Sequence, residues 1–293
     1  MWTRTRCSHQ RGVEEVTLYY LYDRSGGGSW NISLPNYYWY RDANITFEGN
    51  GGTGAGGTMS GGASKHNNKF PDYMDPNDPC AKAKTASATA TTNSRNTTFT
   101  NAKTSISGMN NNKENGVVFG NVNGATQSTG LQTGGEHSIT LTHSFSNPTG
   151  DLHNHTDNTP PSPGDVYSLI NARNSFTNYN TRYVTTPDGT LYALVVTDTD
   201  AMNNFLQNYP PSITPNPSGG NYVNFPTDIN NEYNDIYTFY NGTREMALAF
   251  TLDKYNSGIV LTKMNSNGDL KKIGTTETIN SNGEKTYLNN NCQ

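Results

Sequence analysis

Residues 150–165 read GDLHNHTDNTPPSPGD. They fall into three pieces whose order sets the architecture: an extended segment ending in His153-Asn154-His155, a proline-bounded loop, and a helix start at Ser162. Alternate side chains of an extended chain share a face, so both imidazoles can reach one ion. Ser162 is an N-cap residue, Pro163 takes the first helical position, where its missing N–H costs nothing, and Asp165 takes the third, completing a capping box. An acid in that first turn faces back toward the strand and can supply a third ligand. Two neutral nitrogens and one carboxylate leave a fourth position for water, the donor set of a catalytic rather than a structural zinc site.

Working outward, ENGVVFGNV (114–122) and HSITLTHSF (137–145) have strand composition. TRYVTTPDGTLYALVVTD (181–198) reads as a hairpin turning at Pro187-Asp188-Gly189. Strands alternating with helices predict an α/β or α+β domain, a mixed β-sheet flanked by helices, over residues 111–210. Residues 1–48 form an aromatic, β-rich N-terminal segment with the runs VTLYYLYD and LPNYYWYRD, and residues 49–75 a glycine-rich linker. The linker resembles neither a Walker loop nor a dinucleotide fingerprint, because no strand–loop–helix pattern frames it. Residues 76–110 are Ala/Thr/Lys-rich and read as a polar, helical connector. PPSITPNPSGGNYVNFP (210–226) is too rich in proline and glycine for regular structure and marks a boundary. Residues 211–293 then read as an extension, with helical spacing over 229–255 and a β-meander turning at Asn267-Gly268 and Asn282-Gly283.

Across the 293 residues, hydrophobic residues make up 32% and charged residues 15%, both low for a globular chain, while 18 Tyr and 10 Phe supply aromatic surface for a modest core. A mean hydropathy of -0.76 agrees with long polar loops. Net charge of -4 gives no broad footprint for nucleic acid or an anionic membrane, and the arginines at 4, 6 and 11 read as a solvated tail. No apolar run approaches the length of a membrane span. The first residues are too interrupted by Glu14 and Glu15, and their apolar stretch too short, for a signal peptide, so the start reads as that of a gene fragment, or export depends on something outside this sequence. Cys7, Cys80 and Cys292 are odd in number and widely separated, which points to neither a disulfide framework nor a cysteine zinc site.

Hydrolysis at such a centre needs a group, not bound to the metal, that accepts a proton from water and passes it to the leaving amine. Glu114, immediately before GVVFG, is the candidate. These residues together, from Lys113-Glu114-Asn115-Gly116-Val117-Val118-Phe119-Gly120 through HNHTDNTPPSPGD, resemble the signature of the JAB/JAMM (MPN-type) zinc metallopeptidases: an upstream Glu near a strand, then HxH, a short loop, and SxxD. The resemblance covers residues 110–210, about a third of the chain. It implies a JAB/MPN-like (cytidine-deaminase-like) core with β-rich terminal additions, and a zinc-dependent cleavage of an amide or isopeptide bond in a protein or peptide substrate. It implies His153, His155 and Asp165 as zinc ligands, Glu114 as general acid/base, and Ser162 as donor to the oxyanion. The sequence departs from the family pattern at Thr156, which stands where proline is common, and in the loop before Ser162, which is one residue short. An Asn/Tyr/Gly-rich chain around such a centre is also similar to the C-terminal regions of exported, RHS-associated bacterial proteins, which would place it outside the cell or at its envelope.

Other readings compete. Glu136 rivals Glu114 but lacks the GVVFG context, and His137 and His143 read as ordinary surface or packed residues. The capping role explains Ser162 better than a hydrolase triad, since no nucleophile elbow surrounds it. Asp151-Leu152-His153-Asn154-His155-Thr156 with Val196-Thr197-Asp198-Thr199 also resembles the opening motifs of PHP-type phosphoesterases. That site needs further histidines downstream, and none follows His155. A JAB-like scaffold without catalysis is the third alternative, opposed by the presence of Glu, both His, Ser and Asp.

Overall fold

The computed structural model describes residues 3–9, 16–22, 79–216 and 221–289. The chain divides into two compact units, residues 1–67 and 68–293. In the first, β1 (Thr3–His9) pairs antiparallel with β2 (Val16–Tyr22). LPNYYWYRD and the glycine-rich linker lie outside the described residues.

The second unit opens with α1 (Pro79–Ser94) and α2 (Thr97–Ser107). Three strands follow: β3 (Asn115–Val122), β4 (Ala125–Ser128) and β5 (Gln132–Thr133). Next come β6 (Pro148–Asn154), α3 (Pro163–Ser175), β7 (Thr181–Thr185), β8 (Leu191–Val196) and α4 (Thr199–Asn208). The hairpin of β9 (Ser212–Pro215) and β10 (Asn221–Asn224) precedes α5 (Thr227–Thr238) and α6 (Arg244–Lys254). The chain continues as β11 (Ile259–Met264), β12 (Leu270–Lys272), β13 (Thr275–Ile279) and β14 (Lys285–Asn289).

Eight of these strands form one mixed sheet in the order β12-β11-β8-β7-β6-β3-β4, with β5 also on β3. Only β6 and β7 run parallel, joined by α3. The expected α/β class is therefore correct. The apolar runs explain the central strands: Val117, Val118 and Phe119 are consecutive and all buried, as a strand covered on both faces requires. Val118, Val184 and Leu194 pack beneath α3 to α6, while Val117, Phe119, Leu152 and Tyr183 meet α1 and α2.

Residues 76–110 are thus more than a connector. Phe99, Ala102 and Ile106 recur at helical spacing on the buried side of α2, and Ala83, Ser87, Ala90 and Ser94 give α1 a stripe of small buried residues. Phe99 stacks on Phe119 at 5.3 Å and meets Tyr183 edge-on at 4.8 Å. Nor is residue 211 a boundary: β11 pairs with β8 in the main sheet, and α5 and α6 lie in the same core. The meander is two hairpins in different sheets, turning at Gly268 and Gly283, both with positive φ. The strand expected at 137–145 does not form. The edge of β3 away from β6 is taken by β4 and β5, and residues 137–145 pack against the core with Leu141 buried rather than pairing. The Thr142 N–H goes to the Gln132 side chain instead. Cys80 is disulfide-bonded, against the reading from the odd cysteine count. No helix among the described residues is long and apolar enough to cross a membrane.

Because Phe99 fills the contact between α2 and the sheet, Phe99→Ala is expected to cost about 3–5 kcal/mol of unfolding free energy, read from urea denaturation. A loss within about 0.5 kcal/mol, the value of an ordinary surface position, would return this region to connector status.

Candidate metal centre

Along β6 the alternation places Asp151 and His153 on the face covered by α3, with Leu152 opposite. His155 lies one residue beyond β6 but keeps its register, its N–H donating to the Thr185 carbonyl at 2.9 Å. The chain then loops to the capping box at α3. Ser162 Oγ accepts from the Asp165 N–H at 3.2 Å, and Asp165 Oδ2 accepts from both the N–H and the hydroxyl of Ser162 at 2.8 Å. The bonds that start the helix therefore also fix the Asp165 side chain. Its Oδ1 lies 3.2 Å from His153 Nε2 and its Oδ2 3.4 Å from His155 Nε2.

All three side chains are buried, and their ligand atoms lie within 4.8 Å of one another. Donors bonded to a tetrahedral zinc at about 2.0–2.2 Å sit about 3.4 Å apart, so the 3.2 and 3.4 Å separations suit one small cation. The tautomer of His155 also fits. Its Nδ1 is 3.0 Å from the Thr159 carbonyl, which can only accept, so Nδ1 carries a hydrogen and Nε2 is the nitrogen turned to Asp165. This buried group can hold a metal ion.

Behind His153 stands Asp151, with no solvent exposure. Its Oδ2 accepts from Arg182 Nε at 3.0 Å, Arg182 Nη2 at 2.8 Å and the Tyr179 hydroxyl. Arg182 Nη1 also lies 3.6 Å from Asp165 Oδ1. Burial alone would raise both carboxyls. Arg182 foremost brings Asp151 below its ordinary value, and His153 foremost holds Asp165 well below its own. Burial likewise opposes charging His153, but Asp165 and Asp151 outweigh it and lift the imidazole to about 9.

Glu114 is buried just ahead of β3. Its N–H donates to the Gly135 carbonyl at 2.7 Å and its carbonyl accepts from Gly134 N–H at 2.8 Å. Gly116 sits opposite His153, so Glu114, two residues away, shares that face. Burial raises its carboxyl, against the pull of His153 and His155. A Cβ on Gly116 would stand 2.8 Å from the Leu152 carbonyl oxygen and 3.0 Å from His153 Cβ, so glycine lets β3 come this close to the site.

The rivals fall elsewhere. Glu136 is exposed and receives the Asn112 amide at 3.3 Å, and His137 is exposed beside it. His143 is packed against Phe176 and Tyr179, and burial lowers its imidazole. Asp198 caps α4 and pairs with Lys82 at 2.8 Å, at the far end of β8, so the second phosphoesterase-like motif does not reach the histidines. Thr156 donates its hydroxyl to the Glu136 carbonyl at 2.9 Å and so ties the loop down.

The neighbours missed from sequence were Asp151 behind His153, and Tyr179, Arg182 and Thr159. The alternating Asp-x-His-x-His was a visible signal for the first. Arg182 opposes Asp151 only through the β6–β7 register, which no local pattern reveals. No protein-family model, curated protein or solved structure matches this chain.

With its pKa near 9, His153 is protonated at pH 7 in the metal-free protein, and a cation must displace that proton to reach Nε2. Zinc binding is expected to release about one proton from this residue at pH 7 and to weaken as pH falls below 9. Calorimetry in buffers of different ionisation enthalpy measures this, and binding with no proton release would contradict it.

Proposed function

We propose that this chain is a metal-dependent hydrolase of the JAB/JAMM type, cleaving an amide or isopeptide bond in a protein or peptide with zinc held by His153, His155 and Asp165. The observation that carries the reading is the buried His153–His155–Asp165 cluster, with Glu114 buried on the same sheet face. The cluster's spacing suits one small cation, and a carboxyl that the cluster does not pair stands on the same sheet face, which supports a catalytic reading over a bare scaffold.

When bound, zinc supplies a Lewis acid and brings the pKa of a coordinated water to about 7. His153 and His155 would hold it through Nε2, and Asp165 through its carboxylate. Glu114 accepts a proton from the attacking water at a carboxylate oxygen and returns it to the leaving nitrogen. Its upward shift moves it toward the working pH, where one group serves as both base and acid. Ser162 serves twice. Its hydroxyl is spent on Asp165 Oδ2, so donating to an oxyanion requires it to turn away, while the Ser162 N–H goes on holding that oxygen at 2.8 Å.

Zinc analysis of the purified protein is expected to give one ion per chain, lost in a His153→Ala/His155→Ala double variant. Glu114→Gln is expected to keep the zinc and to lower turnover of a peptide and isopeptide library by about 100-fold or more. Turnover unchanged by Glu114→Gln removes Glu114 from the mechanism, and a protein that takes up no zinc removes the reading altogether.

A further inference from the structure

A carboxylate with no access to water needs partners for both of its oxygens. Asp151 satisfies one of them threefold, since Arg182 Nε, Arg182 Nη2 and the Tyr179 hydroxyl all converge on Oδ2. Its Oδ1 has no hydrogen bond. The atom it faces is His153 Nδ1, 3.7 Å away, which is also buried without a hydrogen bond. A carboxylate serving only as counter-ion to an arginine ordinarily gives one oxygen to each N–H of the fork. Here both N–H groups are gathered on one oxygen, and the other is left for the imidazole.

We propose that Asp151 is the positioning residue of the metal centre: it accepts the Nδ1–H of His153 and so commits Nε2 to the metal, while Arg182 and Tyr179 hold it in place from behind. This rests on the metal-centre reading. The separation of 3.7 Å is longer than an N–H···O bond, and a shift of about 0.8 Å closes it. His155 already has the equivalent support in the Thr159 carbonyl, so each ligating ring has an acceptor at Nδ1. The two supports differ in kind. Thr159 offers a backbone carbonyl from the loop before α3, whereas Asp151 offers a buried carboxylate anchored by a guanidinium that also approaches Asp165.

Zinc affinity of the full chain, measured by competition with a chromophoric chelator, is expected to fall about 10- to 100-fold in Asp151→Asn. An affinity within twofold of the parent in that variant would overturn the assignment. Because Asp151→Asn leaves Arg182 without its charge partner and can fail to fold, a second measurement uses the unaltered protein. In the zinc-loaded protein labelled with nitrogen-15 at histidine, long-range proton–nitrogen spectra are expected to show His153 protonated at Nδ1 and bound to the metal at Nε2. The metal on Nδ1 would overturn the proposal and leave the metal-centre reading standing. A protein that takes up no zinc would overturn both.

Discussion

The parallel pairing of β6 with β7 is the constraint on which the rest depends. Two parallel neighbours cannot be joined by a tight turn, so the chain must leave the sheet at the end of β6, cross one face as a helix and return. The start of α3 is thereby delivered to the C-terminal end of β6, where His153 and His155 stand. Everything that forms the centre follows from that delivery: the capping box at Ser162 has to be made for the helix to begin, and making it aims Asp165 at the histidines. One set of hydrogen bonds both starts the helix and places a candidate metal ligand.

Electrostatics then set the terms on which the centre exists. Asp151, Asp165, His153 and Arg182 are all buried within one network, and none would be tolerated there alone. Each carboxylate is kept ionised by a cation the fold supplies, and His153 is kept charged by the two carboxylates on either side of it. The metal-free network is consequently a complete set of ion pairs rather than a void. A cation entering it exchanges with a proton instead of filling empty space.

How much of this the sequence discloses depends on the range of the interaction. The capping box, the alternation of the histidines and the turn at Gly189 are set by residues within a few positions of one another, and all three are legible in the string of letters. Phe99 on Phe119, β11 on β8 and Arg182 on Asp151 are set by tertiary register, and the local pattern around each is silent. The misread strand at 137–145 shows the limit plainly. HSITLTHSF has the alternation of a strand, but β4 and β5 pair with β3 there, and this segment spends its apolar residue Leu141 on the core instead.

Gly116 carries a consequence for how this chain can vary. Where β3 passes the candidate ligands, the Leu152 carbonyl and the His153 side chain already stand closer to Gly116 than a methyl group would tolerate. Substitution to anything larger wedges β3 away from β6 at the point where Glu114 and His153 have to stay in register. The position leaves no room for a side chain, although it bears no functional group of its own.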